Sequence, residues 1–180
     1  ITIKKAAEYE MALEKTHVIC DRGKRRDKIL TDATALAKKH GLTLRKDDGL
    51  LDEVTGLVEW PVVLMGAIDR NFMDLPPEVL VSEMRAHQKY FALETKDGKL
   101  SDKFLITANM EAKDGGKAIV AGNERVLRAR LADGRFFWDQ DRKKSLEEWA
   151  HGLKSVTFHA KLGTVADKVE RIAALAVKLT

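Results

Sequence analysis

An uninterrupted apolar run at residues 60–68 is the feature that most limits what this chain can fold into. The run carries no charged residue and has Pro61 near its start. Proline lacks the N–H that an interior strand residue donates, so it is tolerated at the beginning of a strand but not in its middle. A membrane span needs about 20 apolar residues, and this run is far shorter. It therefore predicts a buried β-strand, and with it a sheet.

Two further apolar segments predict a hairpin that could belong to the same sheet. Residues 90–94 and 103–109 are rich in strand-forming side chains, and Asp97-Gly98 lies between them. An Asp–Gly pair in this position is typical of the tight turn of an antiparallel hairpin. A short strand is also predicted at 17–20.

Segments with helical spacing of apolar residues flank these strands in the sequence. It predicts a helix over 21–40, which Gly41 would end, and another that opens near Pro76-Pro77. From Gly115 onward the pattern is helical, beginning with a long helix over 118–143. The predicted fold class is α+β, with helices packed on a mixed or antiparallel sheet and a C-terminal part that is all helical.

The chain has 180 residues, and a domain typically has roughly 150. The pattern predicts an α+β core domain over 1–143 that ends in the long basic helix. Residues 144–180 form a helical segment, expected to start a following helical domain. The sequence opens on Ile1 without a methionine and stops inside a helical pattern, so we expect it to be part of a longer protein.

Composition and motifs exclude several function classes. Charged residues make up 33% and hydrophobic residues 44%, with a net charge of +4, as in a folded, water-soluble domain. The single cysteine, Cys20, excludes an intramolecular disulfide and is expected to be a small buried hydrophobe in a reducing, cytoplasmic setting. No glycine-rich phosphate loop, H-E-x-x-H or G-x-S-x-G motif occurs. No catalytic residue and no metal ligand is therefore predicted.

Arginines on the predicted helix over 118–143 form the most informative cluster. At about 100° per residue, Arg125, Arg128, Arg135 and Arg142 fall within one quadrant, and Leu127 and its apolar neighbours fall on a packed face. Arginine binds phosphate with two parallel hydrogen bonds and stacks on bases, so this face could hold RNA. The alternative is a solvated face whose arginines form salt bridges.

Two smaller basic clusters could likewise either contact RNA or have only a structural role. Arg25 and Arg26 belong to a run of cations at 22–28, where either phosphate contact or a solvated helix start would account for them. Arg85 and Lys89 lie where a helix gives way to a strand. They could contact RNA, or they could be cations placed favourably near the carbonyl end of a helix.

Several motifs in this order resemble the β subunit of bacterial glycyl-tRNA synthetase. The most distinctive are M-R-A-H-Q-K-Y-F at 84–91 and G-N-E-R-V-L-R-A-R-L at 122–131. The latter contains Arg125, Arg128 and Arg130, and their assignment as RNA contacts follows from their chemistry. The remaining matching blocks are 58–61, 75–80, 104–109, 136–138 and 162–164, followed by Asp167, Lys168 and Arg171.

The resemblance implies a ligase of α and β subunits in the bacterial cytoplasm. In that family the α subunit makes glycyl-adenylate from glycine and ATP, with Mg, and the β subunit supplies most tRNA contacts. This sequence resembles the family's B3/B4-like region running into its helical domain, and it lacks the His-Asp dipeptide that would carry over a metal site. The implied partners are the α subunit, glycine tRNA and the rest of the β subunit, with no membrane. The implied role is tRNA positioning without catalysis, and the alternative is a purely structural scaffold or subunit interface.

Overall fold

The computed structural model describes residues 1–179. The chain divides into two compact units, Ile1–Arg135 and a smaller unit that begins at Phe136. The division falls within one long helix.

The first unit has an α+β fold, which confirms the fold class predicted from the sequence. The strands of its sheet are β1 (Thr43–Leu44), β2 (Val62–Ala67), β3 (Phe91–Glu94) and β4 (Leu100–Ala108). Its helices are α1 (Tyr9–Glu14), α2 (Arg22–Lys39), α3 (Asp48–Leu57) and α4 (Pro77–Glu83), and the long helix α5 (Lys117–Asp141) begins in this unit and ends in the second.

The sheet is antiparallel throughout, with strand order β1-β3-β4-β2. Strand β2 is the strand predicted from the apolar run, and it pairs with β4 from Val62↔Ala108 to Ala67↔Lys103. Strands β3 and β4 form the predicted hairpin. Its turn depends on Gly98, whose φ of 76° is a left-handed conformation that glycine adopts without strain.

Helices α2 and α3 cover one face of the sheet and enclose the main core. Side chains alternate along a strand, so Phe91 and Leu93 of β3 point to this face together with Leu105 of β4. The apolar stripes of the two helices pack against them. The helical members of this core are Ile29, Ala33, Ala37, Leu50, Leu51 and Val54.

The opposite face of the sheet carries aromatic side chains and lies beneath α5. Phe104 packs against Tyr90 with ring centroids 4.7 Å apart. Leu127 and Leu131 are the buried residues of α5. Helix α5 begins after Asp114, whose carboxylate accepts hydrogen bonds from the amides of Gly116 and Ala118.

The strand predicted at 17–20 is not formed. The Ile19 amide donates to Glu59 O, but the Val18 amide turns back to Leu13 O at the end of α1, so no ladder develops. Ile19 takes the inward position. Because neighbouring side chains alternate in an extended segment, Cys20 is exposed rather than buried as expected.

The second unit is mainly helical, but the prediction of an all-helical C-terminal part is wrong at residues 157–164. Helix α6 (Leu146–Ala150) begins with a capping box between Ser145 and Glu148, and a 3₁₀ helix (His151–Ser155) follows. A two-stranded hairpin then interrupts the helices, because Gly163 has a φ of 86°, which ends one element and starts another. The elements that complete the unit are β5 (Thr157–His159), β6 (Gly163–Thr164) and α7 (Val165–Leu179).

Candidate nucleic-acid interface

Helix α5 is fixed on the first unit by polar bonds at its first turns. Tyr90 Oη donates a hydrogen bond to Asn123 Oδ1 at 2.6 Å. Glu124 Oε1 accepts one from the Ala67 amide at 2.8 Å, on the strand at the sheet edge. These contacts, with the burial of Leu127 and Leu131, set which side of the helix faces solvent.

Two of the predicted arginines on α5 leave their guanidinium groups available. Arg125 and Arg130 are exposed. Neither forms an ion pair or a side-chain hydrogen bond with any residue that the structure describes. A guanidinium without a carboxylate partner keeps all five N–H donors for an outside acceptor.

Arg128 and Arg135, which helical spacing placed on the same face, bond back to the first unit. Arg128 Nε lies 3.4 Å from Asp69 Oδ2. Arg135 binds both carboxylate oxygens of Asp74 and donates to Asn71 O at 2.6 Å. Its hydrogen bonds hold the pKa of the Asp74 carboxyl below its usual value. Arg135 therefore fastens the helix to the segment before α4.

Arg142 belongs to the second unit. Its guanidinium carbon lies 5.7 Å from the centroid of the Trp138 ring, a separation typical of a cation–π contact.

The two candidate arginines of the basic cluster at 22–28 are bonded within the fold, one to backbone carbonyls and the other to acids at the start of α3. Arg25 donates to the carbonyls of Ile19 and Cys20 at 2.6 and 2.8 Å, and to that of Thr55. Arg26 pairs with Asp52 at 3.0 Å and with Asp48 at 3.2 Å. Both side chains thus join α2 to its surroundings.

Arg85 and Lys89 are also paired with acids of the α3 region. Arg85 Nε lies 2.6 Å from Asp47 Oδ2, and Lys89 Nζ lies 2.7 Å from Glu53 Oε1. Burial raises the pKa of Asp47, but the hydrogen bonds from Arg85 and from the Leu50 amide outweigh burial and lower it. The cluster at this junction therefore links two elements of the fold.

This junction has an unusual backbone. Residues Met84–Gln88 form a π-helical turn, and Lys89 follows in the left-handed region with a φ of 58°. Tyr90 comes next, and burial raises the pKa of its hydroxyl to about 12. A phenol with that pKa stays protonated near neutrality and acts here as a hydrogen-bond donor to Asn123.

Sequence reasoning missed that acids at the start of α3 pair with three of the predicted cations, Arg26, Arg85 and Lys89. Asp47, Asp48, Asp52 and Glu53 crowd the start of α3, and their spacing places several on one side of a helix. An acidic side on a predicted helix indicates that basic side chains pack against it. The sequence does not indicate which element supplies them.

No cluster of histidine, cysteine and carboxylate side chains within residues 1–179 has the arrangement of a metal site. Over the same residues, no helix is long and apolar enough to cross a membrane.

The model of the glycyl-tRNA synthetase beta subunit family matches residues 1–180, the whole of the chain. The chain belongs to this family. It is 54% identical over 179 residues to the glycine–tRNA ligase beta subunit of Rhodospirillum centenum, covering 99% of this chain and 25% of the relative. The corresponding subunit of Phenylobacterium zucineum is 51% identical over 178 residues, with 98% of this chain and 27% of the relative covered.

A more distant relative gives the same coverage. The glycine–tRNA ligase beta subunit of Myxococcus xanthus is 47% identical over 179 residues, which is 99% of this chain and 25% of the relative. The chain therefore spans about a quarter of the length of the curated relatives it matches.

Proposed function

We propose that this chain is a non-catalytic part of a glycine–tRNA ligase that helps to bind and position glycine tRNA. Family membership over the full chain supports the enzyme class. The observation that carries the tRNA role is the pair Arg125 and Arg130, exposed and without an ion-pair partner among the described residues, on a helix bonded to the sheet. Guanidinium groups that bind phosphate fix the position and orientation of a nucleic acid without reading its base sequence.

The whole enzyme would use ATP with Mg at its α subunit, and these 180 residues would activate no glycine by themselves. Its partners would be the α subunit, glycine tRNA and the remaining part of the β subunit, in the cytoplasm. The α+β core over 1–143 would present the arginines, and 144–180 would begin a further helical domain.

The nine candidate cations divide by their present partners. Arg125 and Arg130 would contact tRNA directly, and Arg142 could add a contact from the second unit. The other six would act mainly by holding the elements that carry them. These are Arg25, Arg26, Arg85, Lys89, Arg128 and Arg135.

The test is the double variant Arg125→Ala/Arg130→Ala in the full-length β subunit assembled with its α subunit. We expect tRNA affinity to fall roughly tenfold, because two charge-assisted contacts are lost. The slope of log affinity against log salt should become shallower by about 0.7–0.9 for each phosphate contact removed. Binding is measured by fluorescence anisotropy over a salt series.

The matched control is Lys38→Ala/Lys39→Ala, which removes the same charge from exposed positions at the end of α2. Its affinity and salt slope should stay close to those of the unmodified subunit. If the arginine variant behaves like this control, the proposed tRNA contact is wrong.

A structural role is the second candidate, and the bonds Arg128–Asp69 and Arg135–Asp74 favour it. In that case the remaining arginines would pair with acids on a neighbouring domain or on the α subunit. The same double variant separates the two functions. Weakened α–β assembly, with unchanged tRNA affinity of the complexes that do form, would support the scaffold and contradict direct RNA contact.

A further inference from the structure

Arg125 and Arg130 lie on opposite flanks of the exposed side of α5. They are five positions apart, so they are separated by about 140° around the helix and about 7.5 Å along its axis. Both side chains are exposed, and neither forms an ion pair or a side-chain hydrogen bond with any residue that the structure describes. Because a helix with its side chains is about 10–12 Å across, the two guanidinium groups lie roughly 13 Å or more apart.

The strip of α5 between these two flanks carries mainly small or apolar side chains. Over residues 117–135, the part of α5 in the first unit, the strip consists of Ala118, Ile119, Gly122, Val126, Ala129 and Asp133. A Cβ atom added at Gly122 would meet nothing within 4 Å, so the space above that turn is open. Asp133 is the one charged residue of the strip over 117–135, and it lies at the C-terminal end. The middle of the strip therefore offers a convex, uncharged surface between two cations.

This arrangement fits the minor groove of double-stranded RNA. In the A-form duplex that groove is wide and shallow, and it is recognised through the phosphates of its borders and the 2′-hydroxyl groups that it displays. The major groove is too deep and narrow for side chains to read. Proteins that hold a single strand lay it in a basic groove of their own and stack its bases on aromatic side chains. The strip is instead a convex helix surface, and none of its residues over 117–135 is aromatic.

We propose that α5 packs along the minor groove of a double-stranded stem of the tRNA, with Arg125 on the phosphates of one strand and Arg130 on those of the other. The small residues Gly122 and Ala129 let the helix backbone approach the 2′-hydroxyl groups between the two rows of phosphates. Asp133 repels phosphate, so the contact is centred on the turns before it. This inference rests on the proposed function for its ligand, and it specifies which structural element of the tRNA the helix binds.

Directed hydroxyl-radical cleavage tests this placement in the full-length β subunit assembled with its α subunit. Ala129→Cys carries an iron chelate into the middle of the strip, and the radicals that it generates cut nearby riboses of bound glycine tRNA. We expect cuts on both strands of one stem, facing each other across the minor groove. The matched control is Ala35→Cys, at an exposed position of α2, which should give no cuts beyond those of the unmodified assembly. Cuts confined to a loop or to one strand would overturn the proposal, as would the absence of cuts above that background.

The affinity of Ala129→Glu for glycine tRNA separates this inference from the proposed function. The new carboxylate would lie between two rows of phosphates, so binding should weaken roughly tenfold, whereas Ala35→Glu should leave it unchanged. Unchanged affinity of Ala129→Glu, with a loss in Arg125→Ala/Arg130→Ala, would overturn the minor-groove placement and leave the proposed function standing. Unchanged affinity in both variants would contradict both.

Discussion

Gly66 leaves space in β2 that the ring of Phe104 fills from the neighbouring strand. The two residues are paired in the β2–β4 register. A Cβ atom added at residue 66 would lie 2.6 Å from Cζ and 2.9 Å from Cε1 of the ring. Phe104 is fully buried and packs against Tyr90, so the ring has little freedom to retreat. The lack of a side chain at residue 66 therefore allows the Phe104 ring to pack against β2 beneath α5.

Gly66→Ala should lower the free energy of unfolding by about 1–3 kcal/mol, the usual cost of adding atoms to a filled core. The control is Gly56→Ala in α3, where an added Cβ would meet nothing within 4 Å. There the substitution should be neutral or stabilise by up to about 1 kcal/mol, since alanine favours helix. Urea denaturation of both variants measures the difference, and equal midpoints would contradict this packing account.

At the scale of elements, one phenol joins the hairpin to the long helix. Tyr90 follows a π-helical turn and a residue in the left-handed conformation. This backbone path places the Tyr90 hydroxyl within hydrogen-bond distance of α5. Asn123 uses its amide nitrogen on Ile119 O of its own helix, which orients the oxygen toward Tyr90. The hydrogen bond therefore fixes the helix turn on which Arg125 lies.

Tyr90→Phe keeps the ring and removes only the hydroxyl. We expect the free energy of unfolding to fall by about 0.5–1.5 kcal/mol, the net value of one such hydrogen bond. Tyr9→Phe is the matched control, because Tyr9 is half exposed and makes no hydrogen bond with any described residue, so its stability should not change. Chemical denaturation of the two variants compares them. A Tyr90→Phe variant as stable as the control would mean that the bond does not hold α5.

Helix α5 also illustrates how far sequence alone reaches. Helical spacing identifies Leu127 and Leu131 as buried and Arg125 as exposed, because both properties follow from position on one helix. It cannot reveal that Arg128 and Arg135 are paired, since Asp69 and Asp74 come from a distant segment of the chain. The number of arginines expected to contact RNA directly therefore falls only when the tertiary fold shows those two acids beside the helix.

The same distinction applies to the strands. Strand β2 could be predicted from the sequence because a folded chain rarely leaves an apolar run of that length unburied. The segment at 17–20 has similar residues, but the end of α1 takes the Val18 amide. The sequence does not predict the hairpin at 157–164, because the segments on either side of it have helical spacing of apolar residues. The turn is evident only from the positive φ of Gly163.

At the scale of the whole molecule, carboxylates with lowered pKa values recur across both units. Hydrogen bonds from Arg135 lower the pKa of Asp74, backbone amides of Ala118 and Gly116 lower that of Asp114, and the backbone amide of Thr164 lowers that of Asp167. Each ionised form is favoured by folding. The stability they contribute is present above the unfolded pKa, near 4, and is lost as pH falls through the lower folded value.

Asp47→Asn should accordingly destabilise the protein at pH 7 but lose this effect in acid. Above about pH 4 the ionised carboxylate is bonded to Arg85, and the amide of the variant forms a weaker bond. As the pH falls below that range the carboxyl of the unmodified protein is protonated, so the difference in melting temperature should shrink. Thermal unfolding between pH 7 and pH 3 measures this.

The control for this pH series is Asp133→Asn, at an exposed position on α5 that pairs with no described cation. Its melting temperature should follow that of the unmodified protein throughout. A deficit of Asp47→Asn that is constant from pH 7 to pH 3 would contradict the assignment of charge to this pair.

The bond from the Ala67 amide to Glu124 also bears on self-association. Strand β2 is an outer strand of the sheet, and exposed backbone groups on such a strand invite a strand from another copy to join it. At one end of β2 the outward amide is occupied by the Glu124 carboxylate, and just before the other end Pro61 has no amide hydrogen to offer. We therefore expect the helix that carries the arginines also to hinder pairing of β2 with a strand from another copy.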